Sequence, residues 1–201
     1  MGGRFSRRCC AATLFAAALF TPAMAATQLS KPDQQLYDAV DAGNAAGVTQ
    51  ALSQGANIEV KDRFGHGLTP LLEAYDLQKF DIVKLLVDHN ANIEATVPGG
   101  TTILWVAAAT GNAAMATLLL DHHANIEVKG LDGDTPLGVA AATGQIEIVK
   151  LLLEHHANAQ AKNDAGETPL QKTSEAIGPR DTVRPEIVRL LTEYQNRSAT
   201  R

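Results

Sequence analysis

Apolar positions along this chain follow a helical spacing that stops and restarts at regular intervals. Between Gly130 and Lys162, Leu137, Val139, Ala140 and Ala141 supply one short apolar face. Ile146, Ile148, Val149, Leu151, Leu152 and Leu153 supply a second, at the spacing of an amphipathic helix. Thr135-Pro136 predicts the start of the first helix, because Thr caps well and Pro at the first helical position loses no hydrogen bond. Gly144 predicts its end, since glycine accepts the left-handed conformation a helix stop often needs. Small residues on the first helix and Leu, Val and Ile on the second suit two antiparallel helices in close contact. A polar connector containing Gly133 or Gly166 then leads to the next Thr.

The same pattern occurs again and again. Thr102 to Thr135 is 33 residues and so is Thr135 to Thr168, while Ala91, Ala124 and Ala157 recur at the same interval. A fixed period of this size predicts a stack of small units, none of which buries its apolar face alone. The unit's motif residues are Thr69-Pro70-Leu71, Thr135-Pro136-Leu137 and Thr168-Pro169-Leu170, with a degenerate Thr102-Ile103-Leu104. Second-helix motifs are Val83-Lys84-Leu85-Leu86 and Val149-Lys150-Leu151-Leu152.

These residues resemble the ankyrin repeat over nearly the whole chain beyond its N-terminal segment. The resemblance implies an all-α ankyrin-repeat solenoid of about five stacked helix-turn-helix units with finger loops between them. Two departures recur. The signature histidine is replaced by Leu72, Trp105, Gly138 and Gln171. The glycine ending the second helix survives only as Gly55 and is replaced by Asn90, His123 and His156, residues that tolerate positive φ comparatively well.

Residues 1–25 read as a cleavable signal peptide. Arg4, Arg7 and Arg8 precede an apolar run from Ala11 to Phe20 that is too short to span a bilayer, and Ala23-Met24-Ala25 is an A-x-A cleavage signal. Residues 26–31 form a short tether. The repeats fall at 32–61, 62–95, 96–129, 130–162 and 163–196, followed by a frayed tail at 197–201. Two extra residues between Asp62 and Leu68 predict an enlarged finger in the second unit. That unit also carries Tyr75 where a small Ala is usual and Gln78 where Gly is usual. In the fifth unit a long loop around 177–182 precedes the last helix.

Removing the signal changes the charge and cysteine counts. Cys9 and Cys10 are the only cysteines, so the mature chain has no disulfide and no zinc-thiolate site. Three of the 17 basic residues leave with the segment, so 14 remain against 22 acidic ones, a net charge of −8. Such a balance argues against nucleic acid and for either solubility or a basic partner surface. The expected setting is bacterial and periplasmic or secreted, without stable membrane insertion after cleavage, and the expected state is a monomer.

No catalytic constellation is present: the chain lacks G-x-S-x-G, H-E-x-x-H and a phosphate-cradling glycine loop. We therefore expect no enzymatic activity, no metal and no cofactor. His89, His122 and His155 recur every 33 residues, with His123 and His156 beside two of them. Equivalent positions in adjacent units stand roughly 10 Å apart, too far for one metal ion to bridge. Helix C-termini also attract histidine through their terminal carbonyls. The competing class is a metal- or haem-handling periplasmic protein using the paired histidines.

Recognition of another protein is the favoured reading, because in ankyrin-like stacks partners dock on a strip of finger tips and inner-helix surface. That strip maps to Arg63, Phe64 and His66 in the enlarged finger, then to Pro98 and Thr101. Leu131, Asp132 and Asp134 follow, then Asp164 and Glu167. Asp76, Leu77, Thr110 and Thr143 face the same way from the first helices. Phe64 and Trp105 are the aromatic anchors, although Trp105 also fits repeat-core packing in place of the missing histidine. Asp132, Asp134, Asp164 and Glu167 form an acidic group that fits either steering of a basic partner or a merely solvated rim. Resemblance to exported bacterial ankyrin proteins implies a role in stress protection or effector neutralisation.

Overall fold

The computed structural model describes residues 29–62, 66–97, 99–175 and 184–199, and these form helical hairpins in a row. The first hairpin pairs α1 (Lys31–Ala42) with α2 (Ala45–Ser53), and the second pairs α3 (Pro70–Asp76) with α4 (Phe80–Asp88). α5 (Ile103–Thr110) and α6 (Ala113–Asp121) make the third, α7 (Pro136–Thr143) and α8 (Ile146–Glu154) the fourth. α9 (Pro169–Glu175) and α10 (Arg184–Ala199) make the fifth. The stack of helical hairpins expected from the period is therefore the observed architecture. α10 runs past residue 196, where a frayed tail was expected, because Asn196, Arg197 and Ser198 bring neither Gly nor Pro to stop it. The signal segment, the loop around 177–182 and Arg63, Phe64 and Pro98 lie outside the described residues.

Capping explains why each helix begins and ends where it does. The hydroxyls of Thr69, Thr102 and Thr135 accept from the N–H groups of Leu72, Trp105 and Gly138 at 3.4, 3.4 and 3.2 Å. The second helices end in a left-handed residue, Gly55, Asn90, His123 or His156, with φ of 87°, 62°, 63° and 65°. The N–H of the very next residue then reaches back to close the end: Ala56 to Ala51, Ala91 to Leu86, Ala124 to Leu119 and Ala157 to Leu152, at 2.9–3.0 Å. This is the Schellman arrangement, and it buries three of those four alanines. Asn and His thus do at three ends what Gly55 does at the first. Gln78 likewise stands at φ 57° where Gly111 and Gly144 close the equivalent helices.

The fingers are hairpin turns closed by one backbone bond each: Asp62 to Leu68, Val97 to Thr101, Gly130 to Asp134 and Asn163 to Glu167. The first closes over two more residues than the others, which is the enlargement the sequence predicts. Between the turns that follow the second helices, a side-chain ladder runs along the stack. Asp33 of α1 accepts from the Asn57 N–H within the first unit, and each Asn-x-Glu turn then places a carboxylate oxygen on the backbone N–H of the next unit's Asn: Glu59 on Asn92, Glu94 on Asn125 and Glu127 on Asn158, all at 2.6–2.7 Å. Asn57, Asn92 and Asn125 in turn accept from Glu59, Glu94 and Glu127 N–H groups at 3.0 Å. Satisfying these donors keeps the connectors from exposing unpaired backbone between units.

One apolar core runs from Leu36 to Leu191 without interruption. Leu71, Leu104 and Leu137 of the inner helices and Leu86, Leu119 and Leu152 of the outer helices are fully buried in it. Within the inner row α1 lies against α3, α5 against α7 and α7 against α9, whereas α3 and α5 approach each other less closely. Tyr75 accounts for the wider gap. Its ring occupies the place held by Ala108 and Ala141 in the next units, and its hydroxyl bonds to the Thr110 side chain across the gap.

Candidate protein-binding face

The inner helices carry corresponding positions in a shared register, outward or half-buried except at Val139, which is buried. Asp38, Asp41 and Ala42 lie on α1, and Glu73 and Asp76 on α3 with Leu77 at its C-cap. Val106, Ala109 and Thr110 follow on α5, and Val139, Ala142 and Thr143 on α7. These spacings of three and four residues place each trio on one side of its helix. Asp38, Asp41, Asp76 and Leu77 are exposed, Leu77 at 39 %. Phe80, at the start of α4, is exposed at 47 %. Thr110 and Thr143 turn their hydroxyls back onto the carbonyls of Val106 and Val139, both at 2.8 Å.

Electrostatically the face has two halves. Burial raises the Glu73 carboxyl above its ordinary value, and the nearby carboxylates of Asp41, Asp76 and Asp62 push in the same direction. The corresponding positions Val106 and Val139 carry no charge.

Sequence-named residues at the fingers divide between surface and interior. Leu131 is exposed at 53 %, and Asp132 and Asp164 are exposed beside it. Glu167 is half-buried, its oxygen taking a hydrogen bond from Asn163 Nδ2 at 3.0 Å. Asp134 is not a surface group. It is 6 % exposed, accepts from Asn163 Nδ2 at 3.0 Å and pairs with Lys172 Nζ at 3.1 Å. Desolvation opposes the Lys172 charge, but the hydrogen bond from Lys172 to Asp134, with Asp134, Glu167 and Asp132 nearby, raises its affinity for the proton. Asp134 thus staples the fourth unit to the fifth, and Thr101 is buried as well.

Trp105 is also interior. The ring is 9 % exposed and its Nε1 donates to the Asp134 carbonyl at 2.9 Å, across the junction to the next unit. Between the two roles the sequence left open, this geometry is repeat-core packing. Tyr37, which sequence reasoning missed, does the same two junctions earlier. It follows Leu36 as Trp105 follows Leu104, and its hydroxyl lies 2.6 Å from the Leu68 carbonyl and 3.0 Å from that of Val60. Burial and the carboxylates of Asp62, Glu73, Asp41 and Asp33 push the phenol above its ordinary value. Two unlike side chains therefore supply the cross-unit donor at the signature position; Leu72 and Gly138 cannot.

His66 is exposed, yet it belongs to a local network. Asp62 accepts from the N–H groups of His66 and Gly67 at 3.2 and 2.6 Å, and from His66 Nδ1 at 2.9 Å. Burial tends to raise the Asp62 carboxyl, but these hydrogen bonds outweigh it and hold the group below its ordinary value. The remaining histidines sit at helix ends: His89 Nδ1 lies 2.9 Å from the Leu85 carbonyl, and His156 Nδ1 lies 3.2 Å from the Tyr194 hydroxyl. His122 Nε2 stands 3.5 Å from Asp88. Among the described residues, no three His, Cys, Asp or Glu side chains gather as metal ligands.

Hairpins stacked in one direction, joined by closed fingers and sharing a continuous core, define a helical-repeat solenoid. A family model described as ankyrin repeats (3 copies) matches residues 36–130 and 124–200. The chain belongs to the ankyrin-repeat family, whose members are general protein–protein interaction modules. Among curated proteins, none matches the chain. No helix among the described residues is long and apolar enough to cross a membrane.

Proposed function

We propose that this chain is a non-catalytic recognition module, exported through its N-terminal segment, that binds a protein partner along its fingers and inner-helix face. Asp76, Leu77, Leu131, Asp132 and Asp164 are the surface residues of that face, with Phe64, Arg63 and His66 contributing from the enlarged finger. Trp105 and Asp134 support it from within. The observation that carries this reading is the contrast between a repeated scaffold and a varied surface. Leu36, Leu71, Leu104 and Leu137 keep one buried residue type, while Ala42, Leu77, Thr110 and Thr143 differ at one outward position. A scaffold that holds unlike side chains in register is suited to recognition, because the interface residues change without disturbing the core.

The setting we propose is the bacterial envelope, where such a module would serve stress protection or effector neutralisation as a monomer. Its positive n-region, short apolar run and A-x-A site support that setting. The test is photo-crosslinked capture from the envelope fraction of the exporting organism, with probes placed at Leu77 and Leu131. Wild-type protein should capture a defined partner that an Asp76→Arg/Leu131→Arg variant loses while remaining folded. Equal capture by the variant would sink the proposed face, and intrinsic turnover by the purified chain would sink the non-catalytic assignment.

A further inference from the structure

We propose that the partner docks with a fixed polarity, a Lys/Arg-bearing stretch lying over α1 and α3 and an uncharged stretch of small side chains lying over α5 and α7. This rests on the inner-helix face being the binding surface. It follows from how that face changes along one register. Asp38, Asp41, Glu73 and Asp76 occupy positions that read Val106, Ala109, Val139 and Ala142 in the next two units. Asp38 accepts from Gln34 Nε2 at 2.7 Å, whereas Asp41, Glu73 and Asp76 form no ion pair with a lysine or arginine among the described residues, the nearby His66 ring being the base that acts on Glu73.

A partner covering these carboxylates removes them from water, which is costly unless it brings compensating charge. Glu73 is already half-buried among Asp41, Asp76 and Asp62, so a neutral partner would worsen an existing repulsion. Over α5 and α7 the opposite holds. Ala109 and Ala142 are half-buried, Thr110 and Thr143 have turned their hydroxyls inward, and a charge placed there would find no counter-charge. Leu77, exposed beside the acidic half, gives the aliphatic stems of Lys or Arg an apolar surface to lie on. The fingers of the fourth and fifth units contribute less attraction than their composition suggests, since Asp134 is already paired with Lys172.

The test uses the full chain and a synthetic block peptide, lysines and arginines at one end and alanine, serine and leucine at the other, with a photo-crosslinker at the basic end. Crosslinks should map to α1 and α3. Affinity should fall about tenfold or more for Asp41→Asn/Glu73→Gln/Asp76→Asn, with loss of its salt dependence. A convex-side control, Asp121→Asn/Glu154→Gln, should bind as wild type. If the triple variant binds normally while Thr110→Arg abolishes binding, the polarity is wrong but the face stands. If both bind normally, both readings fail. No binding of the block peptide, or equal binding of a scrambled peptide of the same composition, overturns the polarity. So does a self-associated dimer that the triple variant dissolves, because the face would then hold a second copy.

Discussion

Two neighbouring junctions in this solenoid are built from the same period yet joined differently. Between the third and fourth units, Ala108 and Ala141 let α5 and α7 lie close, and Trp105 donates to the Asp134 carbonyl across the joint. Between the second and third, Leu72 offers no donor and Tyr75 stands where the small residue belongs, so α3 is held further from α5. Solenoid stability is a sum of unit and nearest-neighbour terms. Two side chains per unit therefore decide how firmly that unit is tied to the next. The contrast coincides with the change in surface: the acidic half of the inner face belongs to the units before the looser joint, and the uncharged half to those after it.

The largest expected effect comes from breaking the tight joint. Trp105→Ala should cost about 3–5 kcal/mol, the range for deleting a buried aromatic. Trp105→Phe keeps most of the packing and should cost about 1–2 kcal/mol through the lost bond to the Asp134 carbonyl. Urea denaturation followed by circular dichroism measures both. Gly130→Ala should come next, at about 1–3 kcal/mol, because an added Cβ would stand 2.5 Å from Trp105 Nε1 and the ring would have to shift. As Trp105 is the only tryptophan, its fluorescence should change in the folded variant.

Asp134→Ala probes the following joint and should cost about 2 kcal/mol by leaving one of the two Asn163 amide N–H groups and the partly buried Lys172 without an acceptor. A thermal melt paired with Lys172→Met would separate the carboxylate's loss from the ammonium's. The smallest effect concerns the acidic half. The folded-state affinity of Glu73 for its proton is raised, so its contribution favours folding at low pH and fades as pH rises through the folded value. Glu73→Gln should therefore raise the melting temperature slightly near neutral pH and leave it unchanged below the ordinary carboxylate range. A gain that persists in acid would contradict this origin.

Much of this was legible in the sequence because repetition amplifies weak local signals. The Thr caps, the apolar spacing and the unusual Asn and His at positive φ each recur at 33 residues or close to it, and the structure places all of them as read. The enlarged finger showed as two extra residues. What escaped were contacts between units, where the partner is a backbone group or side chain about thirty residues away and leaves no mark in composition. Trp105 and Asp134 carry side chains typical of binding surfaces, yet each is satisfied internally by a group from the neighbouring unit. Tyr37 could have been found by counting from Leu36, and the inter-unit ladder by noticing that Asn-Ile-Glu occurs three times, at Asn57, Asn92 and Asn125.

Native-state hydrogen exchange tests the difference between the two joints most directly, because it reads the opening energy of each helix separately. The account predicts a step between α4 and α5: amides of α5 to α8 exchange through one large opening, and those of α1 to α4 through a smaller one. Protection that grades smoothly from both ends toward the middle, or a single opening energy across α1 to α8, would contradict it.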